Sequence, residues 1–130
     1  MEKEQKRGER SLYAVFLPIV FVVFALSITH INPIKGIITE DVSPGDYMLT
    51  RVQVRNDLGG EIKDLRISVV GLDIDVYGLR ANFELRGKES TVKAVLLDVP
   101  RETKPGKYWL KFTMSNERFK QSEFREITII

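Results

Sequence analysis

The sequence predicts an all-β fold, an immunoglobulin-like β-sandwich of seven or eight strands, preceded by one transmembrane α-helix. Three observations lead to this prediction. Residues 12–31 contain no Asp, Glu, Lys or Arg. From residue 37 onward, apolar and polar residues alternate with the period of about two that is typical of half-buried strands. Gly and Pro residues separate the alternating segments, as in a sandwich of short antiparallel strands.

The apolar segment 12–31 is long enough to cross a bilayer. At about 1.5 Å per residue, its 20 residues span about 30 Å as a helix. A core helix of a soluble protein would show a polar face at a 3.6-residue period, and none is present before Ser27. We therefore predict a membrane helix over residues 11–32. The anchor residues we single out are Leu12, Tyr13, Pro18, Phe21, Phe24 and Ile31.

Flanking charge predicts the orientation of this helix. Four Lys or Arg residues precede it within residues 1–10, whereas only Lys35 follows it before Glu40 and Asp41. The positive-inside rule then places residues 1–10 in the cytoplasm and the C-terminal domain outside the cell membrane. The expected domains are a cytoplasmic tail (1–10), the helix (11–32), a linker (33–36) and an extracellular sandwich (37–130).

Two other fates of the apolar segment remain open. A cleaved secretory signal peptide has a shorter apolar core followed by small residues, for which the stretch 25–27 is a weak match. A pilin-like leader is cut after a short basic stretch, and residues 6–8, Lys-Arg-Gly, resemble such a site. In that case the apolar helix is buried among copies of itself in a filament core.

Composition excludes several classes of function for the C-terminal domain. Of the 20 Lys and Arg and 18 Asp and Glu residues, four and three lie in the first ten positions, which leaves the domain nearly neutral. A nearly neutral domain lacks the basic surface expected of a protein that binds nucleic acid. The chain has no cysteine, so neither disulfides nor thiolate chemistry are expected.

The alternating pattern assigns the strands and the core. Residues expected to point inward include Val52, Val54, Ile67, Phe83, Leu110 and Phe112. Two strands, 72–76 and 124–130, are expected at sheet edges, the second paired within its sheet. The expected strands cover residues 37–39, 47–55, 64–70, 72–76, 79–85, 90–99, 108–114 and 124–130.

Two stretches resemble the CARDB-like immunoglobulin-fold domains of archaeal and bacterial envelope proteins. The first is PGDYMLTRVQVRNDLGGEIKDLRISV, in which a Pro-Gly turn leads into a strand ending in Val-x-Asn, a Gly loop and a second alternating strand. The second is VPRETKPGKYWLKFTMSN, with its Pro-Gly-x-Tyr hairpin start. The resemblance covers roughly residues 40–130. It implies a seven-stranded sandwich that serves as a spacer or adhesion module, and it brings no catalytic residues.

The sequence contains no catalytic constellation. His30 is the only histidine, so neither a Ser-His-Asp arrangement nor a zinc site can be assembled. Asp73 and Asp75 share one face of an expected strand, but a calcium site needs six to eight oxygen ligands, and no third acid lies nearby. We therefore expect a non-enzymatic protein with no cofactor and no metal.

The candidate contact residues lie on one strand and two loops. Trp109 stands between Lys107 and Lys111 on the polar side of its strand, and tryptophan is enriched at interaction hot spots. The loops 56–60 and 116–122 supply the other candidates. The predicted partner-binding set is Trp109, Asn56, Leu58, Glu117 and Phe119.

These features together predict a membrane-anchored protein of a prokaryotic, archaeal-type cell envelope. The external domain is expected to bind another envelope or membrane protein, or to assemble into a surface complex such as a surface layer or a filament accessory subunit. A homo- or hetero-oligomer fits this role. The alternative is the pilin-like filament subunit with a cleaved leader.

Overall fold

The computed structural model describes residues 31–130, and within that range every regular element is a β-strand. Six of the seven strands are nine or ten residues long, and β1 has five. Their bounds are β1 Ile34–Ile38, β2 Tyr47–Arg55, β3 Ile62–Gly71, β4 Tyr77–Leu85, β5 Ser90–Asp98, β6 Gly106–Ser115 and β7 Lys120–Ile129.

The predicted cytoplasmic tail and nearly all of the predicted membrane helix lie outside the described residues. Of the residues assigned to that helix, Ile31 and Asn32 are described, and neither is helical. Residues 31–130 include no helix with the length and apolar character needed to span a membrane. The candidate anchor residues Leu12, Tyr13, Pro18, Phe21 and Phe24 remain predictions.

The strands form two antiparallel sheets that pack as a sandwich. One sheet has the order β1-β2-β5 and the other the order β4-β3-β6-β7. The all-β sandwich predicted from the sequence is therefore confirmed, with seven strands. In seven-stranded immunoglobulin constant domains the fourth strand joins the sheet of the first two. Here it pairs with β3 instead, which widens the second sheet to four strands.

The core lies between the two sheets and is built by inward side chains of alternating residues. On β2 these are Met48, Thr50, Val52 and Val54, all essentially inaccessible to solvent. On β6 they include Leu110, Phe112 and Met114. Five of the six side chains predicted inward are buried, namely Val52, Val54, Ile67, Leu110 and Phe112.

Phe83, the sixth predicted core residue, is only half-buried. The pairing of β3 with β4 shifts register twice, between Ile62 and Leu65 and again between Leu65 and Ile67. Asn82, beside Phe83, has a left-handed backbone with φ of 57°. A bulge of this kind changes which face successive side chains occupy. Phe83 is paired with the buried Leu65 and so stays on the core side of an edge strand, whereas regular alternation assigns the wrong face to Leu79.

Residues 72–76 form a loop, not the predicted edge strand. The N–H of Gly71 donates to the carbonyl of Val76 at 3.0 Å, which closes the loop at its base. Ile74 and Val76 are buried, while Asp73 and Asp75 are exposed. The apolar alternation that predicted a strand thus comes from a loop whose two aliphatic side chains cover the end of the core.

Two strands begin three or more residues before their predicted starts. The first strand begins at Ile34, inside the predicted linker 33–36, and pairs with β2 through a bulge between Ile34 and Gly36. The last strand begins at Lys120 instead of residue 124. Its early residues are polar because they lie on an edge strand, and this polarity made them look like a loop.

The sides of the sandwich are closed in two different ways. On one side β4 approaches β5 so closely at Gly78 that a Cβ there would lie 2.6 Å from Leu97 Cδ2. On the other side β1 and β7 face each other without forming a ladder. The segment after β1 then crosses to the second sheet, where Val42 forms a parallel bridge with Ile129.

Candidate protein-docking surface

The five candidate contact residues do not form one surface. Trp109 lies near the start of β6 and is 46% exposed. Leu58 and Glu117 are exposed in the β2–β3 and β6–β7 connections. Trp109 lies six residues before Ser115, where β6 ends, a distance of about 20 Å along a strand. The loop candidates and Trp109 therefore belong to different regions of the domain.

Asn56 is fully buried, and its side-chain amide forms hydrogen bonds to several backbone groups. Its Nδ2 donates to the carbonyls of Gly60 at 2.7 Å, Arg86 at 2.9 Å and Leu85 at 3.2 Å. Its Oδ1 accepts the N–H of Leu58 at 2.9 Å. These bonds tie the end of β2 to the β4–β5 turn. Asn56 is thus removed from the contact set, because its amide is already used inside the domain.

Phe119 is also buried, in the β6–β7 connection, where it lines the same shallow depression as Tyr77 and Leu79. Asn116 shapes this turn: its Oδ1 accepts the N–H groups of Arg118 at 2.8 Å and Phe119 at 3.2 Å. The Nδ2 of Asn116 donates to the carbonyl of Lys63 at 3.0 Å. Phe119 is therefore mostly buried within its own domain, and Glu117 remains the exposed candidate residue of this turn.

An exposed apolar surface that includes Trp109 lies on the outer face of the four-stranded sheet. Val70 is paired with Tyr77 on β4 and with Lys111 on β6, and Lys111 is paired with Phe124 on β7. These four residues form one row across the sheet, about 14 Å wide at the usual strand spacing. Three of its members, Tyr77, Val70 and Phe124, are large and exposed.

Neighbouring rows extend this surface in both directions. Ser68 is paired with Leu79, which adds an exposed aliphatic side chain beside Tyr77. On the other side, the N–H of Leu72 donates to the carbonyl of Trp109 at 3.0 Å, which places the two residues side by side. Six exposed side chains therefore form what we call the outer-face cluster: Val70, Leu72, Tyr77, Leu79, Trp109 and Phe124.

Lys111 occupies the centre of the outer-face cluster. Its Nζ lies 6.0 Å from the centre of the Phe124 ring, at the limit of a cation–π contact. Within residues 31–130 its ammonium group makes no salt bridge, whereas Lys107 on the same strand pairs with Glu126 at 3.8 Å. The cluster thus presents one positive charge surrounded by apolar side chains.

A shallow depression of about 450 Å³ borders the cluster. Tyr77 and Leu79 line one side of it, and Thr113 forms part of its floor. Arg66 and Lys120 supply positive charge at its rim. The depression is wide and open, so it suits a protruding side chain of a protein partner better than an enclosed small molecule.

A charged group lies at the other end of the domain, around Asp57. Its carboxylate accepts hydrogen bonds from Lys35 Nζ at 2.7 Å and Arg55 Nε at 2.6 Å. These hydrogen bonds hold the pKa of Asp57 below its ordinary value. Nearby, a hydrogen bond shared with Glu61 raises the pKa of Glu84. Both groups are exposed, and in residues 31–130 no three His, Cys, Asp or Glu side chains are grouped so as to hold a metal ion.

Sequence reasoning identified Trp109 but missed most of the outer-face cluster. Tyr77 falls between two predicted strands, and Leu79 shares the predicted inward face of Phe83 because the bulge in β4 is not visible in the sequence. Leu72 was assigned to an edge strand. One sequence feature was available: β3 carries Val69 and Val70 in succession, so one of the two had to point outward.

Comparisons with known proteins show the fold and no more. No protein-family model matches the chain, and no curated protein matches it. A FixG-related protein from Vibrio parahaemolyticus has 13% identity and a TM-score of 0.58, over 76% of this chain and 98% of that chain. A family 123 glycoside hydrolase from Clostridium perfringens has 10% identity and a TM-score of 0.51.

The second of these matches covers 69% of this chain but only 22% of the hydrolase, so the likeness is to one part of a larger enzyme. PapD-like domain 7 of human CEP192 has 8% identity and a TM-score of 0.42, over 78% of this chain. At these identities the first two structures establish a shared β-sandwich, and function has to be argued from this chain's own surface.

Proposed function

We propose that this chain is a non-enzymatic, membrane-anchored protein of a prokaryotic cell envelope that binds another envelope protein through the outer-face cluster. The observation that carries the proposal is the contiguity of six large, exposed apolar side chains on one sheet face. Contiguous apolar patches on a folded domain are typical of interaction sites. Scattered exposed apolar residues would not support the same conclusion.

The cluster has the composition of an interface centre. Trp109, Tyr77 and Phe124 are aromatic, and aromatic residues are enriched where protein interfaces are fully desolvated. Lys111 lies among them, so the matching partner surface is apolar and places a carboxylate opposite its ammonium group. A partner without that carboxylate would bury an unpaired charge, which is costly.

The predicted membrane helix supports the cellular setting. A helix over residues 11–32 would keep the domain at the membrane surface with its N-terminus in the cytoplasm. The resemblance to CARDB-like domains supports an envelope location and an archaeal or bacterial source. The pilin-like alternative uses the same apolar segment as a filament core after loss of the first eight residues.

Two measurements test this proposal. The mass of the intact protein from its native membrane should match the full 14.9 kDa chain, and the protein should resist alkaline washing. Loss of residues 1–8 would support the filament subunit instead.

The partner is tested by co-purification in mild detergent. Lys111→Glu should lose the partner that wild type retains, whereas Lys107→Glu, a matched change on the same strand outside the cluster, should keep it. Equal recovery with both variants would contradict the role of the outer-face cluster.

A further inference from the structure

The edge strands of the two sheets differ in how open they are to pairing. β1 carries a bulge and is short. β5 is covered by β4 near Gly78, and β4 itself has two register shifts and a left-handed residue at Asn82. β7, in contrast, pairs with β6 through ten successive residue pairs without a shift. Among residues 31–130, β5 and β7 are thus the long, regular edge strands, and β7 is the one that β4 does not approach.

On the side of β7 away from β6, the contacts of the described residues lie at the two ends of the strand. Near the first end the side chain of Gln121 bonds to Ile34, and at the other end the N–H of Ile130 donates to the carbonyl of Val42 at 2.9 Å. The N–H of Ile130 therefore points away from β6. Because backbone groups alternate along a strand, Phe124 and Glu126 direct their N–H and C=O groups the same way, whereas Thr128 lies beside the bridge between Val42 and Ile129.

We infer that residues 122–126 of β7 pair antiparallel with the same residues of a second copy of this chain, with Phe124 on the two-fold axis opposite its own copy. Phe124 directs its backbone groups outward, so the two residues on the axis would exchange both hydrogen bonds. Their rings would also meet on the outer face, and aromatic cross-strand pairs stabilise antiparallel sheets.

Charge selects this register over its neighbours. With Phe124 on the axis, Glu123 of each copy lies opposite Arg125 of the other, at a position where cross-strand side chains approach most closely. An axis through residue 123, 125 or 126 would instead oppose two copies of Glu123, Arg125 or Glu126. Like charges directly opposite each other are destabilising.

The same two charges also explain why β7 does not pair indiscriminately. Glu123 and Arg125 lie on the core-facing side of the edge strand, and Arg125 Nη1 is 3.8 Å from Glu123 Oε2. Inward-pointing charges on an edge discourage pairing with unrelated strands. A second copy in the stated register satisfies both charges, which an unrelated strand does not.

The dimer would extend the four-stranded sheet to eight strands and join two outer-face clusters across the axis. The inference goes beyond the proposed function, because it concerns the strand edge and self-association and needs no other protein.

Cysteine crosslinking of the full-length chain in mild detergent tests the geometry. The sequence has no cysteine, so each introduced thiol is unique. Phe124→Cys should form a disulfide-linked dimer on mild oxidation, because the axis brings the two thiols together. Leu96→Cys, an equally exposed position on the other sheet, should remain monomeric. Equal dimer yields from both positions, or none from Phe124→Cys, would overturn the inference.

Charge reversal tests the register independently, with sedimentation as the readout. Arg125→Glu and Glu123→Arg should each dimerise about tenfold or more weakly than wild type, because like charges then face each other. Mixing these two variants should restore dimers, as should the double reversal E123R/R125E. Failure of both rescues, or a wild-type chain that stays monomeric at high concentration, would refute the pairing. A Lys111→Glu variant that loses the partner but still forms normal dimers would show that dimerisation and partner binding are separate properties.

Discussion

The side-chain amide of Gln121 bonds to both backbone polar groups of Ile34. Gln121 Oε1 accepts the N–H of Ile34 at 2.9 Å, and Gln121 Nε2 approaches the carbonyl oxygen of Ile34 at 3.4 Å. Ile34 belongs to β1 of one sheet and Gln121 to β7 of the other. One side chain thus connects two sheet edges that share no ladder at this point, and it satisfies a backbone pair that burial would otherwise penalise.

Replacing Gln121 by leucine should destabilise the domain. Gln121→Leu leaves both buried backbone groups of Ile34 without partners, for which we expect a loss of about 1–3 kcal/mol in the free energy of unfolding. Urea denaturation of residues 32–130, which form one compact unit, measures this directly. Gln53→Leu, the same substitution at an exposed position of β2, should change stability far less. Equal losses in the two variants would show that the bridge contributes nothing specific.

Asn56 and Asn116 offer a second matched comparison. Both side chains organise a connection between strands, but Asn56 is buried and Asn116 is partly exposed. Asn56→Ala removes a donor from three carbonyls in the interior, so we expect a loss of about 2 kcal/mol or more. Water can replace the bonds lost in Asn116→Ala, so its loss should be smaller. Thermal unfolding of both variants ranks their losses of stability. A larger loss in Asn116→Ala than in Asn56→Ala would contradict the structural role assigned to Asn56.

The regular strands could be predicted from the sequence because their side chains alternate without interruption. β2 was predicted with the bounds that the structure shows, Tyr47–Arg55, since Val52 and Val54 alternate with polar residues in its second half, on the same side as Met48. β4 was not, because the bulge at Asn82 has no distinctive sequence pattern. The loop 72–76 has the alternating apolar pattern of a strand because Ile74 and Val76 cover the end of the core.

Phe112 and Phe83 were both predicted to lie in the core, but they differ in how far they are buried. Phe112 is fully buried, whereas Phe83 is half-buried with Lys93 Nζ 5.0 Å from its ring centre. Phe112→Ala should cost about 3–5 kcal/mol. Phe83→Ala should cost about 1–2 kcal/mol, because much of its ring is already in water. Denaturation midpoints for residues 32–130 test this, and a Phe112→Ala variant as stable as Phe83→Ala would contradict the packing described.

The candidate site was harder to predict than the fold, for a physical reason. Docking residues must be apolar and exposed, and apolar residues on strands are usually assigned to the core. Leu79 was misassigned in this way. Asn56 shows the converse error: a polar loop residue was expected at the surface, although its amide bonds inside the domain.

The ion pairs of Asp57 predict a pH-dependent contribution to stability. Its pKa is lowered in the folded state by the hydrogen bonds from Lys35 and Arg55, so the stabilising effect is present above the ordinary aspartate pKa. This stabilisation is lost as the pH falls through the lowered pKa of Asp57 in the folded state. Asp57→Asn should therefore melt below wild type at neutral pH, and the difference should vanish in strong acid. High salt should reduce it, because the groups are exposed.

Asp98→Asn, at another exposed aspartate, provides the control for this titration. At neutral pH its melting temperature should lie closer to that of wild type than the melting temperature of Asp57→Asn does. A difference between wild type and Asp57→Asn that persists unchanged into strong acid would show that the carboxylate charge is not its cause.

The most direct test of the account is site-specific photocrosslinking in the native membrane. A photoreactive residue at Trp109 or Leu79 should form an adduct with a different envelope protein, because both positions lie in the outer-face cluster. The same probe at Leu96, exposed on the opposite sheet, should not form that adduct, and Lys111→Glu should abolish it. The account is contradicted if the cluster positions give no adduct, or if Leu96 gives the same adduct with equal yield.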